Sequence, residues 1–236
     1  MSLVLTVNVR EGIVMAADSR ITLNSTNQQS QNQVIHFAVG MSDTNRKIFI
    51  TPEKVGITTF GAAEIQGVPI AGYIDSLIIG LKPNLTVKQV ADELLKHFRT
   101  YNPIPETGFH VAGYTNNTLP IQEVYQVDVI NNTAVLQGQP NIQGMVYGGE
   151  GDVVTRLLQP VFGKDNQNNY QPLPFFPIPI NFFTIQDAID FSVYMIKTTI
   201  DTMRFQSRPK TVGGPIDVLV IRPDGYEWVS KKILTL

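Results

Sequence analysis

The stretch that decides the fold is residues 3–20, LVLTVNVREGIVMAADSR. From Leu3 to Val9 every second side chain is apolar, which is the period of a β-strand. The tripeptide Arg-Glu-Gly at 10–12 favours a turn, and residues 13–17 form an apolar run typical of strands covered on both faces. The stretch therefore predicts a hairpin whose second strand is deeply buried.

The buried strand of this hairpin ends in Asp18-Ser19-Arg20. An acid and a base at the mouth of a buried strand are placed either for chemistry or for a local ion pair. The residues alone leave both interpretations open.

The composition excludes several classes of function. The chain has 236 residues, of which 43% are hydrophobic and 16% charged, and a net charge of −2. This balance is typical of a globular protein with a sizeable core, and without a basic stripe we expect no nucleic-acid partner. There is no cysteine, and His36, His97 and His110 lack metal-ligand spacing, so neither a metal nor another cofactor is expected.

The same survey argues against a membrane or secreted protein. No window approaches the ~20 apolar residues of a membrane span. The amino terminus lacks the basic-then-apolar layout of a signal peptide. We therefore expect a cytoplasmic protein with no membrane partner.

Four helices are predicted from apolar side chains at helical spacing, and two of them have clear start signals. Thr86 is a good N-cap, and Thr184 with Asp187 three positions on gives a start like a capping box. The helices are expected at residues 63–81, 87–98, 153–158 and 185–200. The strands are expected at residues 3–9, 13–17, 47–50, 55–60, 109–114, 123–129, 133–137, 216–221 and 226–229.

The order of these elements is strands, two helices, strands, two helices, strands. It predicts an α+β fold with two sheets and the helices on the outside. No linker or internal repeat interrupts it, so residues 1–236 are expected to form one domain.

Two segments depart from regular patterning. Residues 24–33, NSTNQQSQNQ, have no apolar side chain and predict an exposed loop, followed at 34–40 by a short strand or a segment docked on the surface. Residues 164–183 contain four prolines and many large apolar side chains, which forbid a helix and argue against full exposure. We expect an ordered loop that packs on its own domain or on a neighbour.

Residues 12–22, GIVMAADSRIT, resemble the opening hairpin of proteasome β-type subunits and their bacterial relatives, which are N-terminal-nucleophile hydrolases. The resemblance continues in RKIFI at 46–50, GITTFGAA at 56–63 and VGGPIDVLVI at 212–221. Four matches in the right order touch both ends of the chain. They imply a four-layer αββα sandwich of two antiparallel sheets between helix layers, and a homo-oligomeric ring.

The resemblance also implies a site. In the family the first residue of the mature chain attacks a peptide carbonyl, and its own α-amine is the base. That position falls on Ser2 if Met1 is removed. Asp18 matches the acid, Lys47 the ammonium that it holds, and Gly61 the backbone donor to the oxyanion.

Seven further residues match positions that contact the substrate in the family. Thr22 and Ala63 match positions that hold its backbone. The full substrate-binding set is Arg20, Ile21, Thr22, Phe49, Thr59, Ala63 and Gly67. Ile21, Phe49, Thr59 and Gly67 match positions that line the family's specificity pocket. They predict a small to medium apolar side chain in the substrate.

This sequence departs from the family pattern around the late glycine pair, Gly213-Gly214. The family has an acid and a serine just before it, where this chain has Pro209 and Val212. Another serine of the family falls near Gly149 or Glu150. The span between Arg20 and Lys47 is also longer by about a dozen residues, a polar insertion near 23–45 that is either a lid or a surface decoration.

Two principal functions are compatible with these observations. The first is a serine- or threonine-type N-terminal-nucleophile peptidase that cleaves peptide (amide) bonds in peptides or unfolded polypeptides. The second is a catalytically inactive proteasome-like subunit that assembles or binds peptides, in which Asp18 and Lys47 form a structural ion pair. Removal or retention of Met1 separates the two.

Overall fold

The predicted hairpin is the centre of the fold. A computed structural model describes residues 2–30, 33–115, 119–139 and 141–233, with no side-chain detail for residues 23–41. Strands β1 (Leu3–Val9) and β2 (Gly12–Ala17) pair antiparallel, with Val9 opposite Gly12. Every residue of β2 is buried, as its unbroken apolar run predicts.

The first sheet is built outward from this hairpin in the order β12-β1-β2-β15-β16. All of its pairings are antiparallel. The three added strands are β12 (Gly144–Gly149), β15 (Asp217–Ile221) and β16 (Tyr226–Ser230). Strand β12 was not predicted, because three glycines in six residues hide the strand pattern.

The second sheet is also antiparallel and has the order β11-β10-β9-β6-β5. Its strands are β5 (Ile48–Ile50), β6 (Gly56–Gly61), β9 (Thr107–Tyr114), β10 (Gln122–Asp128) and β11 (Thr133–Leu136). All five were predicted within a few residues.

Of the four α-helices in the described part of the chain, two begin where their capping residues predict. Thr86 and Thr184 each accept a hydrogen bond from the backbone N–H three residues on, and Gln89 and Asp187 bond back to complete two capping boxes. The helices are α1 (Ile70–Gly80), α2 (Val87–Phe98), α3 (Asp152–Leu158) and α4 (Ile185–Phe205).

Three apolar clusters separate four layers. One lies between the second sheet and helices α1 and α2, and includes Ile57 and Phe98. A second lies between the first sheet and helices α3 and α4, and includes Leu5 and Ile196. The third joins the two sheets and includes Met15. The predicted αββα sandwich is therefore confirmed.

Two predicted elements were wrong. Residues 64–69 are not helical but form a small hairpin of β7 (Glu64–Ile65) and β8 (Val68–Pro69), with positive φ angles at Gln66 and Gly67. Within the expected loop at 24–33, residues 24–30 and 33 instead belong to a hairpin of β3 (Ile21–Ser30) and β4 (Gln33–Ser42), and residues 31–32 lie outside the described chain. Pairing of the two strands satisfies their backbone groups whatever the polarity of their side chains.

The proline-rich segment at 164–183 is partly anchored. It includes the end of β13 (Phe162–Lys164), β14 (Tyr170–Pro172) and a short 3-10 helix (Ile180–Phe182). Ile178, Ile180 and Phe183 pack against the core beneath helix α4. Phe176 and Phe182 are 85% and 80% exposed.

No helix in the described part of the chain combines the length and the apolar character that crossing a bilayer requires. Within the same residues, no three histidine or carboxylate side chains come together as a metal site would require.

Candidate active site

Asp18 lies directly after β2 and is the centre of the candidate site. Its side chain is buried and accepts four hydrogen bonds. Oδ1 accepts from the backbone N–H of Leu3 at 2.9 Å and from Lys47 Nζ at 2.7 Å. Oδ2 accepts from the backbone N–H groups of Arg20 at 3.1 Å and Gly213 at 3.0 Å. The carboxylate therefore ties the first hairpin to both the second sheet and the late glycine pair.

Lys47 precedes β5 and extends into this site. Its side chain is 2% exposed, and Nζ donates to Asp18 and, at 2.6 Å, to the carbonyl oxygen of Arg20. Burial lowers the pKa of Lys47 from its ordinary value, and the neighbouring Asp18 carboxylate opposes that shift. An ammonium group has three N–H donors, so two acceptors among the described residues leave one donor for another group.

Ser2 begins the described chain and is 6% exposed. Its carbonyl oxygen accepts from the backbone N–H of Glu150 at 2.7 Å, and the next peptide N–H, that of Leu3, binds Asp18. Gly149 has a φ of +93°, and a Cβ there would lie 1.7 Å from the Ser2 carbonyl oxygen. The peptide that joins Ser2 to Leu3, the first residue of β1, is therefore held on both sides by hydrogen bonds.

Gly61 ends β6 with a φ of +95°. A Cβ at this position would lie 2.3 Å from the carbonyl oxygen of Glu106, so only glycine fits without a shift of the backbone. The matched oxyanion-donor position is thus a backbone conformation that the fold reserves for glycine.

Arg20 is engaged in structural contacts on all three of its side-chain nitrogens. Nε and Nη2 both donate to the Asp43 carboxylate at 2.7 Å, and Nη1 donates to the carbonyl oxygen of Lys210 at 3.3 Å. The guanidinium packs against Gly213, where a Cβ would lie 2.4 Å from its central carbon. Hydrogen bonding to Arg20 lowers the pKa of Asp43. This bidentate pair braces the segment that supplies the Gly213 N–H to Asp18.

A cleft of about 640 Å³ is lined in part by Asn45 and Arg46, the two residues that precede Lys47. Ile21 is the predicted substrate-binding residue that lines it, and Trp228 adds an aromatic wall. The Lys232 ammonium pairs with the Asp217 carboxylate at one side. The remaining lining residues are Ser42, Thr44, Pro69, Ala71 and Lys231.

The other predicted substrate residues lie in different surroundings. Phe49 is 3% exposed and packs in the core beneath α1. Thr59 is 2% exposed, and its N–H bonds the carbonyl oxygen of Lys47 at 3.0 Å. The Thr22 hydroxyl is buried without a hydrogen-bond partner in the described part of the chain. Ala63 is half-buried and Gly67 is exposed in the β7–β8 turn.

Sequence reasoning missed a polar cluster of Glu150, Asp152, Arg208 and Thr211, which adjoins Ser2 through the Glu150 backbone. The Thr211 hydroxyl donates to Glu150 Oε1 at 2.9 Å, and the Arg208 guanidinium lies 3.5 Å from Glu150 Oε2 and 3.1 Å from Asp152. The signal that could have found this cluster is the glycine-rich turn at 148–151, which contains Glu150. Glycines let the backbone of such a turn approach another strand closely.

Asp18 and Lys47 thus form a buried charge pair against the backbone of Ser2 and Leu3. A buried ammonium with a free donor can stabilise a developing alkoxide, and a backbone N–H at a glycine turn can stabilise an oxyanion. Groups of these two kinds are the ones that acyl transfer uses.

Comparison with known proteins supports the fold. No protein-family model and no curated protein matches the chain. Among solved structures, the chain is similar to the Gly-1 mutant of Anbu from Hyphomicrobium sp. strain MC1, with 13% sequence identity and a TM-score of 0.61. The alignment covers 98% of this chain and 86% of the Anbu chain. At this identity the likeness establishes the fold alone, the proteasome-like αββα sandwich.

Proposed function

We propose that the chain beginning at Ser2 is an N-terminal-nucleophile hydrolase that cleaves amide bonds in peptides or unfolded polypeptides. The observation that carries the proposal is the buried Asp18–Lys47 pair, with an Nζ–Oδ1 distance of 2.7 Å, bonded to the backbone directly after Ser2.

In the proposed reaction the Ser2 hydroxyl attacks the substrate carbonyl carbon. The hydroxyl proton passes to the Ser2 α-amine, directly or through one water, and Lys47 stabilises the alkoxide as it forms. The Gly61 N–H donates to the oxyanion of the tetrahedral intermediate. The C–N bond then breaks, the departing amine takes the proton from the α-ammonium, and water hydrolyses the resulting ester by the same route.

The substrate side chain is proposed to enter the cleft beside Ile21. Its lining combines apolar surfaces, Pro69, Ala71 and Trp228, with charged groups at one side. This supports an apolar substrate side chain flanked by a polar backbone, in line with the specificity that the sequence predicts.

Assembly is the second part of the proposal. The segment at 164–183 presents Phe176, Phe182 and Leu173, of which Phe176 is 85% exposed. This is more apolar surface than a solvated loop normally carries, and it supports packing against a second copy of the chain, as in a ring. An inactive assembling subunit remains the alternative, favoured by the same surface.

The experiment compares two preparations, one beginning at Ser2 and one that retains Met1. With Met1 attached, the nitrogen of Ser2 is an amide and cannot act as a base, so we expect peptide-amide hydrolysis and β-lactone labelling only in the first. Ser2→Ala and Lys47→Met, made in the Ser2 preparation, should abolish both. Equal activity with and without Met1 would place the chemistry elsewhere.

Assembly is tested by light scattering on the same preparations. Particles several times heavier than the 26.2 kDa chain are expected. The double variant Phe176→Ser and Phe182→Ser should shift them towards monomer, whereas the exposed Ile79→Ser on helix α1 should not. A monomer at every concentration and ionic strength would exclude the ring.

A further inference from the structure

The cleft beside Ile21 carries more positive than negative charge. Three cationic side chains line it, those of Arg46, Lys231 and Lys232, against one carboxylate, that of Asp217. The chain as a whole has a net charge of −2, so the positive excess is a local feature of this cleft. Cations gathered at one concave site attract a group of opposite charge.

Asp217 and Lys232 form a shielded ion pair at the cleft wall. Their side chains are 3% and 10% exposed. Asp217 Oδ1 accepts from the backbone N–H of Lys232 at 2.8 Å, and Oδ2 accepts from its ammonium group. An ammonium group has three N–H donors, so the contacts among the described residues leave two donors of Lys232 for another group.

Lys231 is the cation of this cleft that no described residue neutralises. Arg46 pairs with Asp75, and Lys232 with Asp217, whereas Lys231 forms no ion pair in the described part of the chain. The stretches whose side chains the structure does not describe contain no aspartate or glutamate, so their side chains supply no counter-charge.

Trp228 orients this exposed ammonium group. Lys231 Nζ lies 4.8 Å from the centroid of the indole ring, and both residues line the cleft. A cation held over an aromatic face keeps its full charge, because the ring offers a quadrupole and no counter-ion. Lys231 is therefore held in place while its charge remains available to a ligand.

The two lysines lie within electrostatic reach of the candidate catalytic pair. Asp217, the partner of Lys232, pairs in register with Ala17, the residue before Asp18. Burial is the largest cause of the lowered pKa of Lys47, and the charge of Lys232 lowers it further. A carboxylate bound by the lysines therefore lies near the bond that the proposed reaction breaks.

We propose that Lys231 and Lys232 bind a carboxylate of the peptide substrate, so that the site selects acidic peptides. This rests on the proposed function in that the bound peptide is the substrate of that reaction. The apolar surfaces of Ile21, Ala71 and Trp228 accept an apolar side chain. The two ammonium groups donate to the carboxylate of a neighbouring acidic residue or of the peptide's C-terminus. A neutral amide of the same shape leaves their charge unmatched, and this difference sets the selectivity.

Trp228 provides a test that does not depend on catalysis. It is the single tryptophan of the chain and lines the cleft, so its fluorescence reports peptide binding in the Ser2→Ala variant. The probes are short valine-containing peptides with glutamate or glutamine at each position in turn, each as the free acid and as the amide. We expect the matching carboxylate to lower Kd about fivefold at low ionic strength, and high salt to reduce this preference.

Variants of Lys231 assign the preference to the cleft. Lys231→Gln should reduce it to about twofold or less, and Lys231→Arg, which keeps the charge, should retain it. Lys96→Gln is the matched control and should change nothing, because Lys96 is an exposed lysine of α2 that does not line the cleft.

The outcomes separate the source of the carboxylate and the validity of the inference. A preference for glutamate identifies an acidic side chain, and a preference confined to the free-acid peptides identifies the C-terminal carboxylate. Equal Kd values for charged and neutral peptides overturn the inference. A preference that survives Lys231→Gln, or that Lys96→Gln also removes, overturns it as well.

Failure of this inference is distinguishable from failure of the proposed function. If the chain beginning at Ser2 hydrolyses none of the peptides but the binding preference depends on Lys231, the function is wrong and the recognition of acidic peptides stands. If that chain hydrolyses charged and neutral peptides with equal kcat/KM and binds them equally, the function stands and the inference is overturned.

Discussion

The stability of this protein should fall on mild acidification because of one histidine. His110 lies on β9 between the two sheets and is 0% exposed. Its Nδ1 lies 3.1 Å from the Thr6 hydroxyl of β1, and the Phe60 ring packs 5.3 Å away between ring centroids. Its Nε2 is buried with no partner among the described residues. Burial lowers the pKa of His110 from 6.5 to about 3.

The direction of this pH effect follows from the number of protons that the folded and unfolded states bind. Below pH 6.5 the unfolded chain binds a proton at His110 that the folded protein excludes, so acid favours unfolding. The stability that comes from keeping His110 neutral is fully present above pH 6.5 and is lost as the pH falls from there towards 3. Each pH unit within that window costs ~1.4 kcal/mol, so the step from pH 7 to pH 5 costs ~2 kcal/mol. Any folded pKa below ~4 gives the same result over this step.

The assay is urea unfolding at pH 7 and pH 5, followed by the fluorescence of Trp228, the single tryptophan of the chain. His110→Asn keeps a polar group near Thr6 but cannot titrate. Its free energy of unfolding should therefore fall by ~2 kcal/mol less than that of the parent between pH 7 and pH 5. His97→Asn is the matched control, because His97 is only partly buried and bonds Tyr101 at the surface of α2. A parent protein equally stable at both pH values, or an undiminished loss in His110→Asn, would refute the reasoning.

Two further predictions concern packing at the candidate site. Asp18→Asn leaves the Lys47 ammonium buried without its counter-charge and should lower the free energy of unfolding by about 3–5 kcal/mol, whereas Asp92→Asn at an exposed helix pair should lower it by less than ~0.5 kcal/mol; a small loss for Asp18→Asn in urea unfolding would contradict the buried pair. Gly149→Ala adds a Cβ that meets a backbone oxygen and should cost ~3 kcal/mol or more, while Gly138→Ala, also at positive φ but with nothing within 4 Å, should cost ~1 kcal/mol. Thermal unfolding of the two alanine variants checks this, and equal losses would show that strain alone, not the contact, sets the cost.

The sequence alone was sufficient for the elements whose signals are local. The alternation from Leu3 onward and the apolar run at 13–17 specify the central hairpin, because the spacing of the apolar side chains shows which faces of each strand are buried. Thr86 and Thr184 mark two helix starts, since a capping box uses only residues within one turn. The Asp18–Lys47 pair was also predicted, through the family resemblance, and the structure shows it at 2.7 Å.

The tertiary structure decided what depends on distant partners. Strand β12 carries three glycines, and it is a strand because β1 offers it hydrogen bonds from Leu3 to Asn8. The polar residues after Ile21 are a strand because β4 pairs with them. Backbone hydrogen bonds between strands form with many side-chain types, so a glycine-rich or polar strand such as β12 or β3 has no apolar pattern by which the sequence could reveal it.

The surroundings of Ser2 could likewise not be predicted from the sequence. Glu150 and Thr211 are separated by 61 positions and meet only because the β12–α3 turn and the segment before β15 close on the same end of the first sheet. The depressed pKa of His110 also arises from the stacking of two sheets, which no neighbour along the chain reveals. A local pattern specifies an element, whereas the charge and solvation of a side chain depend on every element packed around it.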